Sequence, residues 1–143
     1  LIKAAVTPLE IALDIRDITL EVQMQPDLQH RGDISWMTEA VSNILKNCME
    51  HTPSGGHIRI VTKDNPLYLL IKITDSGRGF TKQDLPHIFE RFYRGQNADT
   101  DSVGIGLALA KRIIIAQNGT IRAYNHKKDG GAVFEIRMYK GAV

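Results

Sequence analysis

The sequence has few of the features that would assign it at once to a particular class of protein. Its 143 residues contain one cysteine, which excludes an internal disulfide and is compatible with a reducing compartment. No apolar run approaches the roughly 20 residues that a membrane-spanning helix needs, and no signal peptide is visible. The net charge is only +2, from 18 basic and 16 acidic side chains, which is too small to indicate nucleic-acid binding.

The composition is that of one globular domain. Hydrophobic residues make up 43% of the chain and charged residues 24%, which is enough apolar material for a core. Because the sequence starts at Leu1 and not at a methionine, we expect a soluble fragment of a longer protein, whose membrane segments would lie outside it.

The pattern of apolar residues predicts hairpins and helices in alternation. A helix with a break or kink at Pro8 is expected over residues 1–16. Strands are predicted over residues 18–24, 58–63, 67–74, 120–125 and 131–138, and helices over residues 35–51, 84–93 and 106–117. A polar, mobile loop should fill residues 95–103. This order favours a two-layer α/β sandwich, with a mixed, mostly antiparallel sheet and helices on one face.

A carboxylate ends the strand predicted over residues 67–74. Asp75 follows this strand directly, and Gly77 and Gly79 come next. Glycine accepts positive φ and lets a ligand approach the backbone, while the carboxylate is an acceptor for N–H groups. An ordinary Asp/Gly turn has the same composition. The motif alone therefore leaves both a ligand site and a plain turn open.

The helix predicted over residues 35–51 carries two asparagines on its polar face. At about 100° per residue, Asn43 and Asn47 share this face with Glu39, Lys46 and Glu50, opposite an apolar face expected in the core. Asparagine is a mediocre helix former. Two amide oxygens aimed at one ligand would suit Mg²⁺, which prefers oxygen ligands and shares its shell with substrate phosphates. A solvated surface is the alternative.

Residues 104–107, Gly-Ile-Gly-Leu, stand at the start of the predicted helix 106–117. Free backbone amides at such a position attract anions. A plain turn is the other interpretation. The pattern matches neither a P-loop nor a dinucleotide fingerprint.

Residues 89–94 combine aromatic and basic side chains. We expect Phe89 and Phe92 to anchor a short helix in the core, and Arg91 and Arg94 to project from another side. Guanidinium groups fit phosphate oxygens through their planar fork. A surface helix with paired charges is the alternative.

The order of these stretches resembles the ATP-binding catalytic domain of sensor histidine kinases, in the superfamily that also contains gyrase, MutL and the heat-shock chaperone ATPases. The N box resembles residues 39–52 (EAVSNILKNCMEHT), the G1 box residues 75–79, the F box residues 87–94 (HIFERFYR) and the G2 box residues 104–107. The FERFYR run points to histidine kinases within that superfamily. The resemblance implies a Bergerat-type ATP-binding fold over residues 17–143, with ATP and Mg²⁺ as ligands.

The resemblance also implies roles around the base. Asp75 would accept the adenine amino group, and Gly77 and Gly79 would let the base lie against the backbone. His51 and Phe80 would contact the nucleotide.

On the phosphate side, the resemblance implies that Asn47 ligates Mg²⁺ and that Asn43 lies beside the triphosphate. Glu50 would point away or touch the metal through water. The remaining phosphate contacts implied are those of Arg91, Arg94, Gly104, Ile105, Gly106 and Leu107. Asn43 and Arg94 would be the catalytic residues, and residues 95–103 would form the family's ATP lid.

Several residues depart from the family pattern. Glu50 stands where a basic residue is common, His51 where tyrosine is frequent and Cys48 where alanine is frequent. Ser102 and Val103 replace the first glycine of the lid, and alanine replaces a frequent threonine at position 132. None of the five histidines has the setting of the family's phosphoacceptor, so residues 1–16 are expected to lead out of a dimerisation and phosphoacceptor hairpin that is missing from this chain.

The sequence therefore predicts the catalytic domain of a two-component sensor histidine kinase, in the cytoplasmic part of a membrane-anchored, homodimeric parent. It would present the γ-phosphate of Mg-ATP to a histidine of another domain, for relay to a response regulator. No nucleic acid is expected as a partner. The alternatives are a nucleotide-binding regulatory module without kinase activity and a serine kinase of the anti-sigma-factor type.

Overall fold

The computed structural model describes residues 1–24, 34–92, 106–128 and 130–141. Its helices are α1 (Ile2–Val6), α2 (Glu10–Ile15), α3 (Ile34–His51) and α4 (Gly106–Ala116), with short 3₁₀ turns at Thr7–Leu9 and Leu85–His87. Its strands are β1 (Thr19–Gln23), β2 (His57–Asp64), β3 (Tyr68–Asp75), β4 (Gly119–Asn125) and β5 (Ala132–Tyr139). None of the helices in these ranges is long and apolar enough to cross a membrane.

The five strands form one sheet in the order β1-β2-β3-β5-β4. Only β1 and β2 run parallel, and the other neighbours are antiparallel. The two predicted hairpins are β2–β3 and β4–β5, and β5 lies between β3 and β4. The predicted mixed, mostly antiparallel sheet is therefore confirmed.

The main core lies between the sheet and the helix pair α3–α4. In β3, Leu69, Ile71 and Ile73 are buried while their neighbours are half-exposed, as strand alternation requires. The apolar face predicted for α3 is buried throughout; it comprises Met37, Ala40, Val41, Ile44, Leu45 and Cys48. The opposite sheet face carries charged residues such as Lys72 and Glu135, which pair across β3 and β5. The predicted two-layer α/β sandwich, with its helices on one face, is confirmed.

The N-terminal segment is helical, as predicted. Pro8 lies in the 3₁₀ turn that separates α1 from α2, because proline cannot supply a helical N–H. Ile2, Ala5 and Leu13 belong to the same buried cluster as the residues of α3. The segment therefore packs on the domain and contributes to its core.

The short helix predicted over residues 84–93 is wrong. Only the 3₁₀ turn Leu85–His87 forms, followed by turns whose hydrogen bonds join residues three apart, such as the Glu90 amide to the His87 carbonyl. Phe92 has φ of 65°, a left-handed conformation that an α-helix excludes. Its side chain is 63% exposed, so Phe92 does not anchor the segment, whereas Phe89 packs against the core.

Candidate functional site

Asp75 ends β3 with its carboxylate in the interior. The residue is 3% exposed. Its Oδ1 accepts hydrogen bonds from the amides of Gly77, at 2.9 Å, and Ala132, at 3.2 Å. Its Oδ2 is buried and has no hydrogen-bond partner among the described residues. One carboxylate oxygen is therefore held in place, and the other remains available to an N–H donor.

The two glycines after Asp75 are required by the protein's own packing. A Cβ at Gly77 would lie 2.2 Å from the carbonyl oxygen of His51, and one at Gly79 would lie 2.2 Å from that of Gly130. Gly79 also has φ of 74°, which favours glycine. The segment thus passes close to the end of α3 and to the β4–β5 loop, and the expected closeness to a ligand is not needed to explain either glycine.

The polar face of α3 brings Asn43, Asn47 and His51 into one row. They are four residues apart, so they lie one above the other on the helix surface. The side-chain atoms Asn43 Nδ2 and Asn47 Oδ1 are buried and have no hydrogen-bond partner in the described ranges. Glu50, which was expected either to point away or to touch the metal through water, is exposed on the last turn of the helix. Buried polar atoms in folded proteins are normally hydrogen-bonded, because an unpaired one lowers stability. This row is therefore suited to a polar ligand.

Aromatic rings lie at the Asp75 end of this row. The ring of His51 contacts that of Phe80 edge to face, with centroids 6.0 Å apart. Phe80 contacts the buried Phe134 in the same manner at 5.9 Å. Two sequence-predicted nucleotide contacts, His51 and Phe80, are therefore neighbours beside Asp75.

The start of α4 lies next to Asn43. A Cβ at Gly106 would be 3.8 Å from the Cβ of Asn43. The side chain of Leu107 is buried in the core, and the amides of the first helical turn have no acceptor within the helix. The structure thus brings the described part of the predicted phosphate loop against the asparagine face of α3. Gly104 and Ile105 lie outside the described residues.

Of the two arginines predicted to contact phosphate, Arg91 lies within the described residues and Arg94 does not. Arg91 is exposed, and its guanidinium lies 4.8 Å from the ring centroid of Phe92. The carboxylate of the neighbouring Glu90 binds Nδ1 of His87 at 2.7 Å. Arg94 and the expected lid at residues 95–103 lie outside the described residues.

The thiol of Cys48 lies close enough to the carboxylate of Asp75 to be affected by its charge. Cys48 is fully buried. Burial, and then the charge of Asp75, raise the pKa of the thiol well above its ordinary value. The sequence indicates only that Cys48 stands where alanine is frequent in the family, because nothing in the spacing of Cys48 and Asp75 along the chain relates the two residues.

Sequence reasoning also missed Asn125, at the end of β4. Its side-chain amide bonds to the backbone of Phe80 through two hydrogen bonds. An asparagine before a turn is common for local reasons, so no signal in the sequence connected it to the site.

The described residues contain no group of three His, Cys, Asp or Glu side chains that could hold a metal ion. Asn47 Oδ1 is a suitable oxygen ligand for a hard cation. A cation here would take its other ligands from water or a bound phosphate. Asn47 Oδ1 therefore fits one position in the ligand shell of Mg²⁺.

Comparison with known proteins places this geometry in a family. The model for histidine kinase-, DNA gyrase B- and HSP90-like ATPases matches residues 32–141. The sensor histidine kinase YvrG of Bacillus subtilis is 30% identical over 121 residues, which cover 83% of this chain and 21% of that protein.

Solved structures share the fold. The mycobacterial sensor histidine kinase MprB matches with a TM-score of 0.84 and 29% identity, over 96% of this chain and 94% of that one. The histidine kinase ThkA, solved in complex with the response regulator protein TrrA, matches with a TM-score of 0.81 and 21% identity, over 98% of this chain and 39% of that one.

The chain spans only part of its curated relatives, between 21% and 34% of the length of YvrG, the sensor protein SphS of Synechococcus elongatus and the sensor-like histidine kinase SenX3 of Mycobacterium bovis. The matched family region nevertheless includes every described element of the site, from α3 to β5. The chain belongs to the family of histidine kinase-, DNA gyrase B- and HSP90-like ATPases, and within it corresponds to the ATP-binding catalytic domain of sensor histidine kinases.

Proposed function

We propose that this domain binds ATP together with Mg²⁺ and presents the γ-phosphate to a histidine on a separate domain. One observation carries the proposal: Asp75 Oδ2, Asn47 Oδ1 and Asn43 Nδ2 are all buried and unpartnered among the described residues. An unsatisfied buried polar group costs about 1–3 kcal/mol. A ligand that pairs all three atoms would recover this free energy on binding.

The carboxylate of Asp75 would select the base. When the carboxylate is ionised, Oδ2 accepts hydrogen bonds and cannot donate them. This property suits the exocyclic amino group of adenine, which is a donor. Guanine presents a carbonyl oxygen at the corresponding position, and two acceptors repel each other. His51 and Phe80 would flank the nucleotide beside Asp75, and Gly77 and Gly79 would keep the backbone next to the base.

Asn43 and the start of α4 would hold the phosphates. Asn43 Nδ2 can donate to a phosphate oxygen, and Gly106 lies next to the Asn43 side chain. The amides of Gly106 and Leu107 belong to the first turn of α4, where free N–H groups and the helix dipole favour an anion. The predicted contributions of Gly104, Ile105, Arg91 and Arg94 belong to the same proposal.

Asn47 would supply the protein's ligand to Mg²⁺, through Oδ1. When bound, this ion would neutralise charge on the phosphate oxygens and help to orient them. Glu50, exposed one turn later on α3, would reach it only through water.

The domain's contribution to catalysis would be positioning and charge stabilisation, which dominate enzymatic phosphoryl transfer. Asn43 and Arg94 are the residues proposed to contact the transferred group. The attacking histidine would come from a dimerisation and phosphoacceptor hairpin that residues 1–16 connect to the domain at residues 17–143.

The wider setting is proposed from the relatives. The parent would be a homodimeric, membrane-anchored receptor with this domain on its cytoplasmic side, and the phosphoryl group would pass from histidine to a response regulator. The support is that the relatives are sensor kinases, and that ThkA was solved with a response regulator.

The test has two parts. Calorimetry with Mg-ATP and Mg-GTP should show binding of ATP and much weaker binding of GTP; failure of ATP to bind would refute the site. Addition of a separately expressed hairpin domain of the parent should then yield acid-labile phosphate on that domain. Binding without any transfer would instead support a regulatory nucleotide-binding module.

A further inference from the structure

Asn125 joins the end of β4 to the segment that follows Asp75. Its Oδ1 accepts a hydrogen bond from the amide of Phe80 at 2.8 Å, and its Nδ2 donates to the carbonyl of Phe80 at 2.7 Å. The two residues are 45 positions apart. A side-chain amide that bonds both backbone groups of one residue reproduces a single step of a β-ladder, so Phe80 is held as if it were paired with a strand.

The same end of the β4–β5 hairpin also holds Asp75. Asn125 is paired with Ala132 across the two strands, and the amide of Ala132 donates to Asp75 Oδ1 at 3.2 Å. One register pair therefore fixes both ends of the segment from Asp75 to Phe80. Gly79, between them, lies so close to this hairpin that a Cβ would be 2.5 Å from Asn125 Oδ1.

The backbone position of Phe80 determines where its ring lies. That ring contacts His51 on one side and Phe134 on the other, with centroids 6.0 and 5.9 Å away. Because Phe134 is fully buried in β5, a shift of the Phe80 backbone would move its ring relative to His51. Asn125 thus acts on two sides of the proposed nucleotide site, through Phe80 and through the hairpin end that fixes Asp75.

We propose that Asn125 is a positioning residue for nucleotide binding, which holds the segment Asp75–Phe80 in its ligand-binding shape through the backbone of Phe80. This proposal rests on the proposed function, since it concerns the same nucleotide pocket. Asn125 itself need not touch the nucleotide. If the role of Asn125 were purely structural, its substitution would lower stability without lowering nucleotide affinity. The test separates a positioning role from a structural one.

The chain offers a matched control in Asn65. Its side chain also makes two hydrogen bonds to backbone, accepting from the amides of Leu67 and Tyr68 at 2.8 and 2.9 Å. It lies in the β2–β3 turn, beyond the Asp64–Leu69 pair, while Asp75 pairs at the other end of the same hairpin. Asn65→Ala should therefore lower the melting temperature without changing the pocket.

Calorimetric titration with Mg-ATP and Mg-GTP would compare wild type, Asn125→Ala and Asn65→Ala, well below the melting temperature of each. For Asn125→Ala we expect Mg-ATP affinity to fall at least about tenfold, as for loss of one or two hydrogen bonds, and the preference for ATP over GTP to shrink. Asn65→Ala should keep wild-type affinity and preference.

A second variant covers the case in which Asn125→Ala folds poorly. Asn125→Asp keeps an acceptor for the Phe80 amide but turns a carboxylate oxygen toward the Phe80 carbonyl, so an intermediate loss of affinity is expected. Wild-type affinity in Asn125→Asp, or equal losses in Asn125→Ala and Asn65→Ala, would overturn the proposal. If wild type itself fails to bind Mg-ATP, the proposed function fails first.

Discussion

Oδ1 of Asp75 accepts a hydrogen bond from the amide of Ala132, 57 residues further along the chain and 3.2 Å away. With the amide of Gly77 on the same oxygen, this contact orients the carboxylate and leaves Oδ2 without a protein partner among the described residues. The strand end thus presents one fixed acceptor to a ligand. The first prediction depends on that acceptor.

Asp75→Asn should weaken Mg-ATP binding about 10- to 100-fold, the range expected for loss of a hydrogen bond to a charged group. The asparagine Oδ1 can still accept from Gly77 and Ala132, so the melting temperature of the nucleotide-free domain should barely change. The amide NH₂ would face the amino group of adenine and favour the carbonyl of guanine, so GTP affinity should rise relative to ATP. Calorimetry measures the affinities for ATP and GTP, and thermal unfolding measures the melting temperature. Asp14→Asn, at an exposed helical position, is the control. Unchanged ATP affinity would rule out the role of Asp75.

Asn47→Ala should abolish the effect of Mg²⁺ on ATP binding. In the variant, ATP affinity with Mg²⁺ should drop to the affinity measured with a chelator, because the proposed amide ligand is gone. Stability should rise slightly, since alanine is the better helix former and an unpaired buried atom is removed. The neighbouring Lys46→Ala, at an exposed position, should leave the Mg²⁺ effect intact. A Mg²⁺ dependence that survives in Asn47→Ala contradicts the assignment.

Cys48 should make stability depend on pH above about 9. Burial, then the charge of Asp75, raise the pKa of this thiol in the folded state above its ordinary value of 9.0. The unfolded chain therefore loses the thiol proton first as pH rises, which favours unfolding by up to about 1.4 kcal/mol per pH unit for one group. Urea unfolding should show that the stability advantage of wild type over Cys48→Ala is constant between pH 7 and 8 and declines above pH 9. If the stability difference between wild type and Cys48→Ala stayed constant up to pH 10, the thiol would ionise equally in the folded and unfolded states.

Glu135 should contribute stability at neutral pH that acid removes. Burial raises the pKa of this carboxyl, but hydrogen bonds from Arg122, at 2.7 Å, and Tyr124, at 2.6 Å, outweigh burial and lower the pKa below its ordinary value of 4.5. A lowered folded pKa stabilises the protein above the unfolded pKa, and this stability is lost as pH falls through the folded pKa. Glu135→Gln should therefore melt below wild type at pH 7, with the difference narrowing toward pH 3.

Glu135 lies on the sheet face opposite the helices, so Mg-ATP affinity should not change in Glu135→Gln. A melting difference that stays the same at both pH values would mean that the carboxylate charge is irrelevant to the network.

The amphipathic patterns were readable from the sequence because they depend on local geometry. Leu69, Ile71 and Ile73 alternate as a strand with one buried face must, and they are buried. The polar face of α3 followed in the same way from the helical period, which placed Asn43 and Asn47 together. The motif order then resembled one family, and the family match over residues 32–141 agrees with it.

The aromatic segment shows where local reasoning failed. Apolar residues three apart, Phe89 and Phe92, suggested a helix, but the backbone at Phe92 is left-handed and its ring faces solvent. Phe89 instead packs on Phe134, with ring centroids 6.4 Å apart. A helical period is only a weak signal over so few residues, and contact with β5 decided the outcome.

The amino-acid sequence by itself determined the strands and the long helices, their buried faces and the family, because periodicity and motif spacing are properties of neighbouring residues. Only the tertiary structure decided that β5 lies between β3 and β4. That topology brings Ala132 to Asp75 and Asn125 to Phe80, and it leaves three polar atoms buried without protein partners in the described ranges. Contacts between residues 45 and 57 positions apart depend on the path of the whole chain, and no local pattern encodes that path.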